Sequence, residues 1–166
     1  ATALIAGCGM FGHMHGNGPM AQAKLEPTRG NTTAGTVMFQ GQDDGVFAHI
    51  RVNGLKPNQE HGFHIHEKGD CSSGDGMSTG GHFNPTGKPH GPQDADHHLG
   101  DLPALKADAN GQVDLRVHVH GVSIGTGVGN IIGRGLIIHA QADDYKTQPT
   151  GNSGARIACA VITALP

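Results

Sequence analysis

The chain carries more potential metal ligands than one ion can use. Five histidines and one aspartate follow the spacing His-x-His, then His-x7-His-x7-His-x2-Asp, and a sixth histidine comes much later. These residues are His64, His66, His82, His90, His98, Asp101 and His139. Imidazole suits zinc and copper, and a mixed histidine and aspartate set differs from a soft thiolate site. Because a tetrahedral ion needs only four ligands, the sequence predicts a fold that brings two metals together.

Alternating apolar residues predict short β-strands on both sides of this region. In the clearest example Val46, Ala48, Ile50 and Val52 share one face of an extended strand. The predicted strands are 21–26, 33–40, 46–52, 61–66, 113–119, 135–139 and 156–163. Gln42–Gly45 is predicted to be a hairpin turn in which Gly45 takes a positive φ. The 28 glycines and the scarcity of aromatic residues also fit an all-β protein with many turns.

Two long stretches, 67–105 and 140–153, lack this alternation. A loop of that length in a compact domain is usually functional, and metal ions can supply the order that a hydrophobic core does not. Strands joined by short turns and two long functional loops predict an antiparallel β-sandwich or flattened barrel.

Length and charge limit the other possibilities. The chain has 166 residues, enough for one domain with a core, and the predicted domain covers 20–166. A net charge of −3 gives no reason to expect a nucleic-acid partner. No stretch is long enough to span a bilayer.

The three cysteines indicate an oxidising compartment. Two distant cysteines in a metal-rich β-domain suggest one disulfide. The third, Cys8, follows Leu4-Ile5-Ala6-Gly7, which looks like a bacterial lipobox. In that interpretation residues 1–7 are the remnant of a signal peptide and a lipidated Cys8 anchors the protein to a membrane. The alternative is an unstructured N-terminus with a free thiol.

Four motifs, in this order, resemble copper,zinc superoxide dismutases, most closely the bacterial periplasmic branch. They are His64-Ile65-His66-Glu67, Gly80–Pro85, His98-Leu99-Gly100-Asp101 and Gly151–Cys159. The resemblance covers 21–165. It implies a Greek-key β-sandwich and a location in the periplasm or cell envelope.

The resemblance also implies a role for each ligand. It assigns copper to His64, His66, His82 and His139, and zinc to His82, His90, His98 and Asp101. His82 would be the imidazolate that bridges the two metals. His97 is the alternative to His98, but the register of the His-x-Gly-Asp motif favours His98.

Three further features follow from the same family. Asp143 matches a carboxylate that hydrogen-bonds one ligand from each metal site. Cys71 and Cys159 match the family disulfide. Arg156 matches a catalytic arginine at the mouth of the copper site, where a fixed positive charge would hold an anion.

The implied activity is the conversion of superoxide to dioxygen and hydrogen peroxide. Copper can cycle by one electron and zinc cannot, and His82 would exchange a proton during turnover. The alternatives are a copper-delivery protein of the same fold without turnover, or a zinc-only structural module. Lys88 and Lys146 are candidates for electrostatic guidance of the substrate. A monomer and a homodimer both remain open.

The N-terminal residues 1–19 form a separate extension rich in methionine and histidine. Met10, His13, Met14 and His15 supply thioether and imidazole groups that suit copper, Cu(I) especially. Such a segment resembles the metal-binding extensions of some bacterial family members, and we hypothesise an auxiliary copper site at His13 and His15. The alternative is a flexible tail with chance histidines. His49, His118 and His120 are predicted to be outward-facing strand residues.

Overall fold

The computed structural model describes residues 18–166, and this part of the chain is almost entirely β-structure. The strands are β1 (Met20–Pro27), β2 (Ala34–Gln42), β3 (Gly45–Asn53), β4 (Glu60–His61), β5 (Phe63–His66), β6 (Leu105–Lys106), β7 (Val113–His120), β8 (Gly135–His139) and β9 (Arg156–Ala164). One turn of 3-10 helix covers Met77–Thr79. The predictions about Cys8, His13 and His15 lie outside the described residues.

The strands form a Greek-key arrangement. Seven of them make one antiparallel sheet in the order β5-β8-β9-β1-β2-β3-β7, and β4 pairs with β6. Sequential hairpins connect β1, β2 and β3, whereas β7 crosses over to pair with β3, and β9 returns to pair with β1. The predicted all-β, antiparallel sandwich or flattened barrel is therefore confirmed.

The hydrophobic core lies on the inner face of the curled sheet. Along β3 the residues alternate as predicted, with Val46, Ala48, Ile50 and Val52 buried and Phe47 exposed. Large buried side chains from other elements complete the core: Phe39, Phe63, Leu105, Ile131 and Ile138. Each such side chain contributes about 1.5–3 kcal/mol through burial of apolar surface. This core fixes the strands that carry the metal-binding residues.

The turn between β2 and β3 differs from its prediction. Gln42 pairs directly with Gly45, and Gly45 is not among the residues with positive φ. The prediction about its backbone was therefore wrong. Glycine is needed there for a different reason, since a Cβ atom would collide with the carbonyl oxygen of Val119 on the neighbouring strand β7.

The predicted strand at 61–66 is divided at Gly62 into β4 and β5. A Cβ atom at Gly62 would lie 2.5 Å from Ser153 Oγ, so glycine allows the second long loop to approach closely. β4 then pairs with β6, while β5 pairs with β8 and forms one edge of the large sheet.

The first long loop covers the outer edge of β5. Backbone amides of Phe83 and Leu102 donate to the carbonyls of Ile65 (2.8 Å) and Phe63 (3.2 Å), and Ile65 donates to Gly100 (2.8 Å). Bridge-type pairs also join His64 with Asp101 and His66 with His82. The loop therefore occupies the place of a neighbouring strand and brings its ligands against those of β5.

A disulfide ties the same loop to the last strand. Cys71 and Cys159 are bonded, with Cα atoms 6.0 Å apart and 88 residues apart in sequence, which confirms the predicted pair. Within the described part of the chain, no helix is long and apolar enough to cross a membrane.

Candidate metal centre

The seven predicted ligands converge from three parts of the fold. β5 contributes His64 and His66, which point to one side of the strand because they are two residues apart. His139 ends β8, and the other four belong to the first long loop. All seven are buried: His64, His66, His82, His90, His98, Asp101 and His139.

The first group of donors has four imidazoles. His64, His66, His82 and His139 each offer a ring nitrogen, and these atoms lie within 4.8 Å of one another. The facing atoms are His64 Nδ1 and the Nε2 atoms of the other three, and each is buried without a hydrogen-bond partner. An unsatisfied buried polar group costs about 1–3 kcal/mol. Four such atoms aimed at one place are explained if they bind a metal ion.

The opposite ring nitrogens of this group are all held in place. His64 Nε2–H donates to Asp143 Oδ2 (2.7 Å), and His66 Nδ1–H donates to the Gly80 carbonyl (2.8 Å). His139 Nδ1–H donates to the Gly154 carbonyl (3.2 Å). A hydrogen bond on the far nitrogen fixes the tautomer and ring orientation that a metal ligand needs.

The second group surrounds Asp101. Its Oδ1 atom lies 2.8 Å from His82 Nδ1, 2.9 Å from His90 Nδ1 and 3.3 Å from His98 Nδ1. His82 Nδ1 and His98 Nδ1 are 3.2 Å apart. A tetrahedral zinc site with bonds of about 2.0–2.1 Å has ligand atoms roughly 3.3 Å apart, so this spacing fits a zinc ion.

The contact between His90 and Asp101 is not an ordinary hydrogen bond. Its Nδ1 atom is 2.9 Å from Asp101 Oδ1, yet it has no partner with hydrogen-bond geometry. The two atoms are close without being aimed at each other, as ligands of a common ion are. His64 also lies near this group, but its Nε2–H donates to Asp143 and its Nδ1 faces the first group. His98 is therefore the fourth residue of the second group, beside His82, His90 and Asp101.

His82 contributes to both groups, with Nε2 in the first and Nδ1 in the second. Asp143 connects the groups in a different way. Its fully buried carboxylate accepts from His64 Nε2 (2.7 Å), His90 Nε2 (2.8 Å) and the Tyr145 amide (2.7 Å). Burial alone would raise the pKa of Asp143, but the hydrogen bonds from His64 and His90 lower it. Asp143 is therefore an anion that orients one ligand of each group.

Burial keeps three of the four imidazoles of the first group, those of His66, His82 and His139, in their metal-binding form. It lowers the pKa of His82 to about 4 and that of His139 to about 3, and it lowers the pKa of His66 as well. Neutral imidazole is the form that binds a metal. His90 behaves differently, because Asp101 and Asp143 outweigh burial and raise its pKa to about 9. A metal ion must therefore displace a proton from His90.

Arg156 is fixed beside the first group. Its Nη1 donates to the Gly76 carbonyl (3.0 Å), Thr79 Oγ1 (2.9 Å) and the Gly80 carbonyl (2.7 Å). The same Gly80 carbonyl accepts from His66. Partial burial lowers the pKa of Arg156, but a guanidinium remains charged in proteins. The arrangement places a positive charge next to a ligand of the first group.

Three residues support the site without having been predicted. Thr79 is buried and accepts from Arg156, and His61 is buried with its Nδ1–H donating to the His139 carbonyl (2.8 Å). A Cβ atom at Gly151, whose φ is +69°, would lie 2.5 Å from His90 Nε2. The sequence held one usable signal, since His61 alternates in phase with the apolar residues Phe63 and Ile65.

Two further residues of the first long loop have contacts that bear on their predicted roles. His97 Nδ1 contacts the carbonyl of His98 (2.6 Å), and the structure brings His98 rather than His97 to Asp101. The Lys88 ammonium lies 3.4 Å from Asp96, so part of its charge is neutralised locally.

Comparison with known proteins identifies the family. The model of the copper/zinc superoxide dismutase (SODC) family matches residues 33–162. Because that match covers most of the chain, the protein belongs to this family, and the resemblance seen in the sequence is confirmed. Copper and zinc are its cofactors, in agreement with the two groups of ligands.

Individual relatives include two proteins named as copper,zinc superoxide dismutases. The chain is 40% identical over 147 residues to superoxide dismutase [Cu-Zn] 2 of Aquifex aeolicus, covering 86% of this chain and 85% of that protein. It is 42% identical over 135 residues to superoxide dismutase [Cu-Zn] of Paramecium bursaria Chlorella virus 1, covering 77% and 71%.

Other relatives carry different names. Superoxide dismutase-like protein YojM of Bacillus subtilis is 46% identical over 128 residues, covering 74% of this chain and 65% of that protein. A crystal structure of a double mutant of a SOD-like protein from Bacillus subtilis, with two residues replaced by histidine, has a TM-score of 0.78 at 44% identity, covering 86% and 96%. The clock protein EA4 has a TM-score of 0.81 at 39% identity, covering 93% and 99%.

Proposed function

We propose that the protein disproportionates superoxide to dioxygen and hydrogen peroxide at a histidine-bridged copper and zinc centre. One observation carries this proposal. Four buried imidazole nitrogens without partners face one point, and one of them belongs to His82, whose other nitrogen reaches the Asp101 group. A store for a single metal does not need a shared ligand of this kind.

The proposed ligand sets follow the two groups. Copper is held by His64, His66, His82 and His139. Zinc is held by His82, His90, His98 and Asp101. When bound, copper supplies a one-electron redox couple, and zinc supplies a closed structural site that orders the loop.

The chain's own residues perform the remaining tasks. Arg156 attracts and orients the anion with a charge fixed by three acceptors. His82 Nε2 is placed to take up and return a proton, because it faces the first group without a hydrogen-bond partner while Nδ1 faces Asp101. Asp143 keeps His64 and His90 in the tautomers that present their Nδ1 atoms for binding.

A metal-binding protein without turnover is the second candidate, because YojM is named only as dismutase-like. The complete set of six histidines, Asp101 and Arg156 in this chain favours the enzyme. Metal analysis combined with a superoxide-consumption assay tests the proposal. We expect at least one equivalent each of copper and zinc per chain, and rapid consumption of superoxide that Arg156→Gln slows at unchanged metal content. Copper-loaded protein without activity would favour the second candidate.

We also propose that the protein acts in the periplasm or cell envelope and protects it from oxidative damage. The Cys71–Cys159 disulfide supports an oxidising compartment, and the lipobox-like sequence before Cys8 supports a lipid anchor. Cell fractionation with mass spectrometry of the mature N-terminus tests this location. Recovery in the cytosol with an unmodified Cys8 would contradict it.

A further inference from the structure

A second cluster of metal-binding side chains lies on the outer face of the sheet. His118 and His120 are two residues apart on the edge strand β7, so they point to the same side. Asp44 lies in the turn between β2 and β3, and its carbonyl accepts from the Gly121 amide (3.1 Å) just beyond β7. Neither β5, β8 nor the first long loop contributes to this cluster.

The three side chains are in mutual contact. His118 Nε2 is 3.1 Å from Asp44 Oδ1, and His120 Nδ1 is 3.2 Å from Asp44 Oδ2. The remaining ring nitrogens, His118 Nδ1 and His120 Nε2, are 3.3 Å apart. One donor atom from each residue lies within 4.8 Å of the others.

A shared cation would account for the short separations on the Asp44 side of the cluster. His118 Nε2 and His120 Nδ1 both face the Asp44 carboxylate, at 3.1 and 3.2 Å from its two oxygens. These separations are close to the roughly 3.3 Å between two ligands of a tetrahedral zinc ion. An ion bound between the carboxylate and these two ring nitrogens would take the place of the N–H groups that otherwise donate to Asp44.

We propose that Asp44, His118 and His120 form a third metal site for a divalent cation of the late first transition row, such as Zn²⁺, Cu²⁺ or Ni²⁺. Imidazole with one carboxylate suits these ions, whereas calcium and magnesium prefer all-oxygen sites. The side chains of His120 and Asp44 are 73% and 66% exposed, so water completes the coordination. The bound ion would link the turn at Asp44 to the edge strand β7.

The same face offers a matched control. His49 on β3 lies 2.7 Å from Asp114 on β7, so it is also a histidine paired with a carboxylate. There the guanidinium of Arg51 completes the cluster, with Nε 3.3 Å from His49 Nε2 and 3.8 Å from Asp114. An existing positive charge and the lack of a second histidine make this pair unsuitable for a metal ion.

The test is a titration of the copper- and zinc-loaded full-length protein with Zn²⁺ in an isothermal calorimeter. We expect one further equivalent to bind. His118→Gln, His120→Gln and Asp44→Asn each remove a ligand and weaken this binding at least tenfold, and the double histidine variant loses it. His49→Gln leaves the affinity within twofold of the unsubstituted site. All titrations use the His13→Gln/His15→Gln background, so that the N-terminal histidines contribute no competing ligands.

Several results would overturn the assignment. They are the absence of a further equivalent when Asp44, His118 and His120 are all present, its persistence in the double variant of His118 and His120, and its loss in His49→Gln. Because the mutated side chains are exposed or half-buried and lie outside the dismutase centre, superoxide consumption by the loaded variants shows independently that they are folded. Failure of the third site leaves the proposed dismutase activity unaffected.

Discussion

Replacing Asp143 with asparagine should weaken copper binding more than zinc binding. Oδ1 of Asp143 accepts from both His90 and the Tyr145 amide, whereas Oδ2 accepts only from His64. Asparagine has a single acceptor oxygen. Its lowest-cost orientation keeps that oxygen at the Oδ1 position and turns the amide NH2 toward His64 Nε2.

The asparagine NH2 and the His64 Nε2–H are then two donors that face each other. His64 can avoid this only by moving its proton to Nδ1, which faces the first group of ligands and would then be blocked for copper. A mismatched buried hydrogen bond costs about 1–3 kcal/mol. At about 1.4 kcal/mol per factor of ten, this is a loss of roughly 5- to 150-fold in copper affinity. His90 keeps its hydrogen bond, so zinc affinity should fall by less than about fivefold.

The assay is a competition between reloaded protein and chelators of known affinity, with copper and zinc measured separately. Asp144→Asn is the control, because both backbone donors to Asp144, from Lys146 and Thr147, bind the same oxygen, Oδ1. That variant should bind both metals like wild type. Equal losses of copper and zinc in Asp143→Asn, or a greater loss of zinc, would refute the argument from hydrogen-bond geometry.

Three further predictions concern the charge, the disulfide and the pH dependence. Arg156→Gln should lower kcat/KM for superoxide by about tenfold or more, and kcat/KM should then depend less on ionic strength. A wild-type rate in stopped-flow measurements would contradict the role assigned to Arg156. Cys71→Ser should lower the free energy of unfolding by about 4.5 kcal/mol in the chain-entropy model, because the disulfide closes a loop across 88 residues. Urea denaturation measures this loss. A loss below about 1 kcal/mol would show that the loop is ordered without the bond. In metal-free protein, burial lowers the pKa of His82 from 6.5 to about 4. Between these two pH values the unfolded chain binds a proton at His82 that the folded chain does not. The free energy of unfolding should therefore fall as pH drops from 6.5 to 4, by on the order of 3 kcal/mol from this residue. His90, with its pKa raised to about 9, should instead lose its stabilising contribution as pH rises from 6.5 to 9, and urea midpoints that stay constant over both ranges would contradict these assignments.

Local patterns in the sequence were sufficient to predict the seven strands of the large sheet and to single out the candidate ligands, but not the two-residue strand β6. Alternation in β3 and the spacing of His64 and His66 report directly on which face a side chain occupies. The close approach at Gly62 and the collision avoided at Gly45 depend on distant partners, Ser153 and Val119. Such contacts between elements leave no periodic signal, so the division of β4 from β5 and the reason for Gly45 could not be predicted.

The supporting residues were missed for the same reason. Thr79 and Gly151 resemble ordinary loop residues until the fold places them against Arg156 and His90. Their roles are defined by tertiary contacts, whereas the ligands are recognisable from residue type together with spacing and motif.

The covering of β5 by the ligand-bearing loop has a consequence for solubility. An edge strand with free backbone groups is a template for pairing with another chain. Here those groups on Phe63 and Ile65 are occupied by Phe83, Gly100 and Leu102, which belong to the loop that the metals and the disulfide hold in order. Loss of metal together with reduction of Cys71–Cys159 would free this apolar edge. Metal loading therefore protects the protein from self-association as well as preparing it for chemistry.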